Sequence, residues 1–568
     1  MQADILILGS GGAGLFAALH AYDRNPGLRI VLATKGLIGK CGCSRMVQGG
    51  YNAVLDPRDS FELHFRDTIK GGAFLNNQEL AWTLVTDAPE RVRELELKVG
   101  CFFDRREDGF IHQKPFAGQS FDRTVHRGDL TGIEIIARLT DQVFARDIAV
   151  LEECRGVDLL TTTEGDRVVG AVLLDMRSGE LLAVNSKAVI LATGGAASMY
   201  KIAAPSFDKT GDGMAMALRA GAVFIDMEMV QFHPTGLLAG DSRLSGSVLE
   251  EGLRGAGGRL YNALGERFME RYDPVRLERS TRDMVARAGY LEIMAGRGTP
   301  AGGVLLDMTH LGAEFVERQF PGMVERVRDI GKDLAREPVE VSPTAHFMMG
   351  GVKIDRDCYT NLAGLFVAGE DAGGTHGANR LGGNGIAEST VFGARAGDAA
   401  ADFAVQTPLR PASPARLAEI EKRTLAPLLR AEGENVYGIR DELKVLMWEK
   451  VGVVRNGRDL ELARGRLYEL MERAMQIGVR ARGSRRYNLE WNEALNVINW
   501  ITVAQAVAEA AILRTESRGS HYRSDFPETD NERWLCNIHL VRNPDGSLRS
   551  WTEPVKLTRL RPEDVGQN

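Results

Sequence analysis

The chain has 568 residues, a length that accommodates one to three domains, and its 44% hydrophobic and 26% charged content is that of an ordinary globular protein with sizeable cores. Lys and Arg number 70 against 77 Asp and Glu, a net charge of −7, so the charge balance offers no general attraction to nucleic acid or to an anionic membrane surface. Six cysteines are too sparse for a disulfide framework and show no thiolate spacing suited to a metal or iron–sulfur cluster; a reducing compartment is expected, with any such cluster on another chain.

The N-terminus lacks the basic region of a signal peptide and runs straight into an apolar strand, Ile5–Leu8. A glycine turn follows, then a helical pattern over Leu15–Tyr22 and a second apolar run, Ile30–Ala33, which together read as a β-α-β unit. The turn, Gly9-Ser10-Gly11-Gly12-Ala13-Gly14, matches G-x-G-x-x-G at the place where a dinucleotide fingerprint belongs. Gly9 permits the tight turn, Gly11 lets backbone approach a pyrophosphate, and Gly14 allows helix and strand to pack closely. The second strand ends in Thr34-Lys35 rather than an acid, which removes the ribose contact of a plain NAD site.

Further glycine-rich stretches recur at Gln48-Gly49-Gly50, Ala192-Thr193-Gly194-Gly195 and Ala368-Gly369-Glu370. Together they favour a long cofactor such as FAD. Residues 156–198 read as short strands closing on Ala188–Leu191, and a helix is expected from Gly211 to Ala222. Asp212 at its start suits a cofactor hydroxyl, or equally a helix cap. A mixed segment from about Pro234 to Pro343 interrupts before another strand, Gly364–Val367. That order suggests one cofactor domain carrying an inserted domain. From about Leu409 the pattern changes to long charged helices, notably Glu461–Met475 and Asn492–Leu513, and the tail from Glu516 is polar and turn-rich. No apolar run approaches the roughly 20 residues that span a bilayer, so a cytoplasmic protein without a direct membrane span is expected.

Polar stretches punctuate the middle of the chain: Gln231-Phe232-His233-Pro234-Thr235-Gly236, Glu250-Glu251-Gly252-Leu253-Arg254-Gly255, Arg282-Asp283, Thr344-Ala345-His346 and His376-Gly377-Ala378-Asn379-Arg380. Arginines and histidines converging on one cleft would bind a dianion, though spacing alone cannot show that they converge. At these motifs the chain resembles the flavoprotein subunit of the succinate dehydrogenase/fumarate reductase family, which also includes L-aspartate oxidase. The resemblance runs from GSGGAG to Glu516-Ser517-Arg518-Gly519-Ser520-His521 and Asp525-Phe526-Pro527-Glu528.

The resemblance implies an α/β fold: a Rossmann-like FAD-binding domain (1–233 and 346–408), an inserted α+β capping domain (234–345), a helical domain (409–513) and a small C-terminal domain (514–568). FAD would be held by Gly9, Ser10, Gly11, Ala13, Gly14, Thr34, Lys35, Ser44, Gly49, Gly50, Thr193, Gly194, Asp212, Glu370, Arg380, Gly385 and Ile386. His233, Glu250, His346, Arg380 and Phe116 would surround a small dicarboxylate, with Arg282 as the proton donor or acceptor, fed by Glu251 and Arg254. An iron–sulfur subunit is the implied electron partner, attaching the chain to the inner face of a membrane, although a charged helical bundle is equally consistent with self-association.

Three departures from the family pattern stand out. Cys43 falls where the family carries its flavin-linking histidine, which suggests non-covalent FAD, a thioether being the alternative. Glu250 stands where a threonine usually meets the far carboxylate, so it is protonated, turned away, or matched to a substrate with a donor or cationic group. Gly385 replaces a serine beside the flavin, and Ala256 also departs from the pattern. The resulting expectation is succinate–fumarate interconversion. The alternatives are an L-aspartate-oxidase-like reaction, oxidation of a substituted succinate, and a non-catalytic role in which the chain is an FAD-binding assembly subunit.

Overall fold

Ile5–Leu8 forms a strand buried on both faces, as a continuous apolar run between glycine and turn residues should. In the computed structural model, which describes residues 1–430 and 432–565, it is the centre of a parallel sheet. The strand order is Leu365–Val367, Ala188–Leu191, Ile5–Leu8, Ile30–Ala33, Ala149–Leu151, so strands far apart in the chain lie side by side. The first helix spans Gly12–Arg24, longer than the apolar pattern of Leu15–Tyr22 because its glycine-rich first turn carries no hydrophobic period. It crosses the helix Asn384–Gln406 at close range: a Cβ at Gly393 would lie 2.6 Å from the Ala13 carbonyl, and one at Gly397 2.4 Å from that of Ala17. This is the Rossmann-like core, and its carboxyl edge faces the inserted segment.

Strands Val230–Leu237 and Val339–Met348 lead out to that segment and back, paired antiparallel, with Val304–Asp307 and Arg259–Tyr261 completing their sheet. The segment has its own apolar core, including Leu249, Leu253, Phe268, Met323 and Val341. The two paired strands run through positions 233/234 and 345/346, so the boundaries expected there fall inside one strand pair, at its two register shifts.

Helices Pro414–Leu429, Val436–Lys450, Gly457–Ala474 and Leu489–Leu513 follow. Asn456 and Asn488 cap the last two, accepting from the backbone N–H of Asp459 and Trp491, each at 2.9 Å. Contrary to the expectation of no such run, the 25-residue helix Leu489–Leu513 is long and apolar enough to cross a bilayer by length and composition, but 83% of its apolar 18-residue window is buried inside the protein. In the tail, the hairpin Cys536–Arg542 and Leu548–Pro554 pairs with Phe224–Ile225, joining a sheet shared with the cofactor-side fold.

Candidate functional site

A cavity of about 620 Å³ opens where the parallel sheet meets the inserted segment. Of the residues expected around a cofactor, Gly9, Ser10, Gly11, Ala13, Thr34, Lys35, Ser44, Gly49, Gly50, Thr193, Gly194, Asp212, Glu370, Arg380, Gly385 and Ile386 line it. Gly14 does not. A Cβ there would lie 1.9 Å from the Gly9 carbonyl, so this glycine serves close helix–strand packing rather than a cofactor contact. Gly9 has φ +109°, and a Cβ would meet the Ala192 carbonyl at 2.1 Å, so no other residue fits the turn. Gly11 caps the helix Gly12–Arg24 without a side-chain bond of its own; Ser44 Oγ accepts from the Gly12 N–H at 3.0 Å, and the rest of the helix N-terminus is available to a pyrophosphate. Cavity size, glycine cradle and helix terminus all fit FAD.

Asp212 is the first residue of its helix, and Gly211 is the cap. Its carboxylate accepts from Arg155 Nη2 and Asn499 Nδ2, both at 2.7 Å, and from Lys35 Nζ at 3.2 Å. Burial alone would raise it, but Arg155 and Lys35 hold Asp212 well below the ordinary carboxylate range. Burial and the Arg155 charge in turn bring Lys35 down to about 8. Glu370 pairs with Lys209 and accepts from the Met348 backbone N–H at 3.0 Å. Cys43 lines the cavity and its Sγ accepts from the Ser206 backbone N–H at 3.3 Å. Burial pushes its thiol up, which lowers its thiolate fraction and its reactivity toward a flavin.

His233, Glu250, Glu251, Arg282, His346, Arg380 and Phe116 line the same cavity. Arg282 opens the helix Arg282–Glu292 and donates from Nε and Nη2 to Glu251 Oε2 at 2.9 and 2.5 Å. Arg254 is the second exception to the expected lining: it is 1% exposed and sits behind Glu251, donating to Oε1 at 3.3 Å and to the Glu278 carbonyl at 2.7 Å. It positions Glu251 rather than touching the cavity. Burial would raise Glu251, but Arg282 and Arg254 hold it below its ordinary value, ionised.

The strand pairing that places His233 opposite Thr344 also brings the rings of His233 and His346 to 5.5 Å. Burial, then the neighbouring arginines, pushes both imidazoles well below their ordinary value, so both are neutral. The Thr235 backbone N–H donates to His233 Nδ1 at 3.3 Å, which leaves the ring proton on Nε2. Arg380 lies over the Phe347 ring, 4.3 Å from its centroid, and burial followed by the Arg282 charge lowers its guanidinium from the ordinary value. Phe116 packs on glycine surfaces: a Cβ at Gly49 would lie 2.3 Å from its ring, and one at Gly382 2.7 Å from it. Glu250 is not turned away; it lines the cavity, nine-tenths buried, and its Oε2 has no hydrogen-bond partner.

Several partners were given no role from sequence. Gln231 Oε1 accepts from Arg282 Nη1 at 3.2 Å and Arg380 Nη2 at 3.3 Å, joining the two cations through one neutral oxygen. Its place two residues before His233, in the same polar string, was the available signal. Arg155, Lys209 and Arg326 carry no local signal.

The chain matches the FAD binding domain family over residues 4–386 and the fumarate reductase flavoprotein C-terminal family over residues 440–566. It is 46% identical to one of the subunits of the fumarate reductase (CoM/CoB) of Methanothermobacter marburgensis, over 95% of this chain and 97% of that one. It is 36% identical to the fumarate reductase flavoprotein subunit of Escherichia coli, over 99% and 95%. A solved structure of quinol fumarate reductase from E. coli superposes with a TM-score of 0.94 at 35% identity, covering 99% of this chain and 98% of that one.

Proposed function

The chain belongs to the succinate dehydrogenase/fumarate reductase flavoprotein family, and from that membership we propose that its cavity interconverts a succinate-like dicarboxylate and its fumarate-like product, with Arg282 handling the proton. It is an FAD-dependent oxidoreductase. The observation that carries the reading is the cluster of Arg282, Arg380, His233 and His346 on the wall of the cavity that also holds the glycine cradle.

Arg380 supplies positive charge to a substrate carboxylate, and the neutral His233 and His346 add N–H donors without adding charge. Those groups orient the anion within the reach of Arg282. Arg282 gives or takes a proton at one substrate carbon while Glu251 compensates the charge change. Arg254 holds Glu251 in place from behind. Bound FAD supplies hydride exchange at N5 with the neighbouring carbon, and Cys43 favours a non-covalent attachment. The M. marburgensis and E. coli relatives are named as subunits, which supports electron exchange with a partner chain such as an iron–sulfur subunit; any membrane association then comes through that partner.

The test is anaerobic reduction of the purified flavin, followed by fumarate or L-aspartate-derived oxidants. Rapid reoxidation by fumarate is expected. Indifference to fumarate alongside rapid reoxidation by an unrelated alkene removes the assignment.

A further inference from the structure

At the end of the cavity formed by the inserted segment lies a group that the reaction above does not use. Glu250 lines the cavity there beside Leu244, Ser247, Val248 and Arg326. It is 8% exposed, its Oε2 has no hydrogen-bond partner, and its Oε1 lies 2.6 Å from where a Cβ on Gly252 would sit. Arg326 is anchored by donating from Nη1 to the Val248 carbonyl at 3.0 Å.

A carboxylate left buried and unpaired is costly, so the group takes up a proton instead. Burial pushes Glu250 up, Lys114 opposes this, Asp129 and Glu251 reinforce it, and Arg326 opposes it. Of the charged groups around it these four act on it most strongly, Lys114 from the strand Gln113–Lys114 and Arg326 from the helix Pro321–Arg328, while Arg282 lines the same cavity. A neutral carboxyl offers one O–H donor, and beside a guanidinium it makes an end suited to an anionic acceptor.

We propose that Glu250, as a neutral carboxylic acid, and Arg326 together hold the second carboxylate of the substrate, so that Glu250 sets specificity and makes affinity fall as the pH rises. This rests on the cavity being a dicarboxylate site. Below its raised value Glu250 donates; above it the carboxylate repels the dianion. His233 and His346 stay neutral throughout, and Lys35, Arg326 and Arg380, the cavity cations that burial lowers, are separated from Glu250 by the variant below.

The experiment uses full-length FAD-loaded protein from pH 4.5, the ordinary glutamate value, to pH 9, measuring the KM for fumarate with a reduced dye and the malonate Kd from the flavin spectrum. Both rise at least tenfold across that range in the wild type and less than twofold in Glu250→Gln, while Arg326→Gln raises both about tenfold at every pH. A flat wild-type profile, or the same slope in Glu250→Gln, overturns the proposal. Should Glu250→Gln not retain flavin, Glu250→Thr keeps a hydroxyl donor without the titrating group and is expected to give the flat profile; a wild-type slope in it is equally fatal. Malonate binding with the expected pH pattern, but no reduction of fumarate, supports this carboxylate site while refuting the reaction assigned above.

Discussion

Glu251 places one oxygen, Oε2, under both Nε and Nη2 of Arg282, at 2.9 and 2.5 Å, and gives its other oxygen to Arg254 at 3.3 Å. One carboxylate thus lies between two buried guanidiniums, of which Arg282 alone reaches the cavity. The extra cation behind Glu251 matters because an arginine releases a proton only where surrounding positive charge disfavours its charged form. Arg380 is joined to Arg282 through Gln231 Oε1, so a second cavity guanidinium stands beside it.

Arg282→Ala is expected to bind flavin normally, since Arg282 lies outside the glycine cradle, and to lose turnover by about 10²- to 10⁴-fold, the range of a positioned proton donor. Flavin absorbance and steady-state fumarate reduction check this. Turnover above a tenth of wild type places the proton transfer on another group.

Glu251→Gln removes the only charge between Arg282 and Arg254 and is expected to lower stability by about 3–5 kcal/mol, the cost of breaking a buried pair. Its kcat falls as well, and Glu251→Asp recovers part of it. The folded-state value of Glu251 lies below 4.5, so its stabilising contribution is present above that pH and is lost as the pH falls through the folded value. Thermal melts of wild type and Glu251→Gln therefore converge in acid. A constant gap down to pH 3 contradicts the pairing.

His233 and His346 are held neutral, so kcat/KM is expected to show no histidine limb near pH 6.5. A limb there that survives Glu250→Gln and disappears in His346→Gln contradicts a neutral pair of imidazoles.

Local pattern made the frame of this molecule legible. Ile5–Leu8 and Ile30–Ala33 are short apolar runs bounded by turn residues, and the glycines between them admit one kind of turn. Much of the site was legible too, because Gln231–Gly236, Glu250–Gly255 and Gly377–Arg380 are unusual strings. Their convergence was not, since it depends on Val230–Leu237 pairing with Val339–Met348 across more than a hundred residues. Lys209 meets Glu370 at a separation of 161 residues, and nothing around Lys209 in sequence announces a partner. Arg326 lies on a helix with an apolar face of Met323, Val324 and Val327, where an arginine reads as an ordinary solvated residue. The tail reads as loose turns because its hairpin acquires a sheet only from Phe224–Ile225.

Acid precipitation is expected to release all flavin into the supernatant. Burial pushes the Cys43 thiol up, away from the thiolate that a thioether needs. Yellow colour in the pellet that Cys43→Ser abolishes reverses the assignment.

Gly385 tests how tightly the substrate arginine is held. It lies one residue into the helix Asn384–Gln406, where a side chain carries no backbone strain, so any effect of adding one comes from contact. A Cβ there would stand 3.0 Å from Arg380 Nη1 and 3.3 Å from its Cζ, closer than carbon and nitrogen settle without one giving way. Arg380 has little room to give: Phe347 lies against its face, Gln231 Oε1 accepts from its Nη2 at 3.3 Å, and the Leu381 carbonyl accepts from its Nη1 at 3.4 Å. Gly385→Ser is therefore expected to shift Arg380 by a few tenths of an ångström and weaken the long Gln231 bond. Since a hydrogen bond to a charged group contributes about 1.5–3 kcal/mol, kcat/KM for fumarate should fall by about 10- to 100-fold with the flavin still bound. If Gly385→Ser raises kcat/KM instead, Arg380 is not pinned by these contacts.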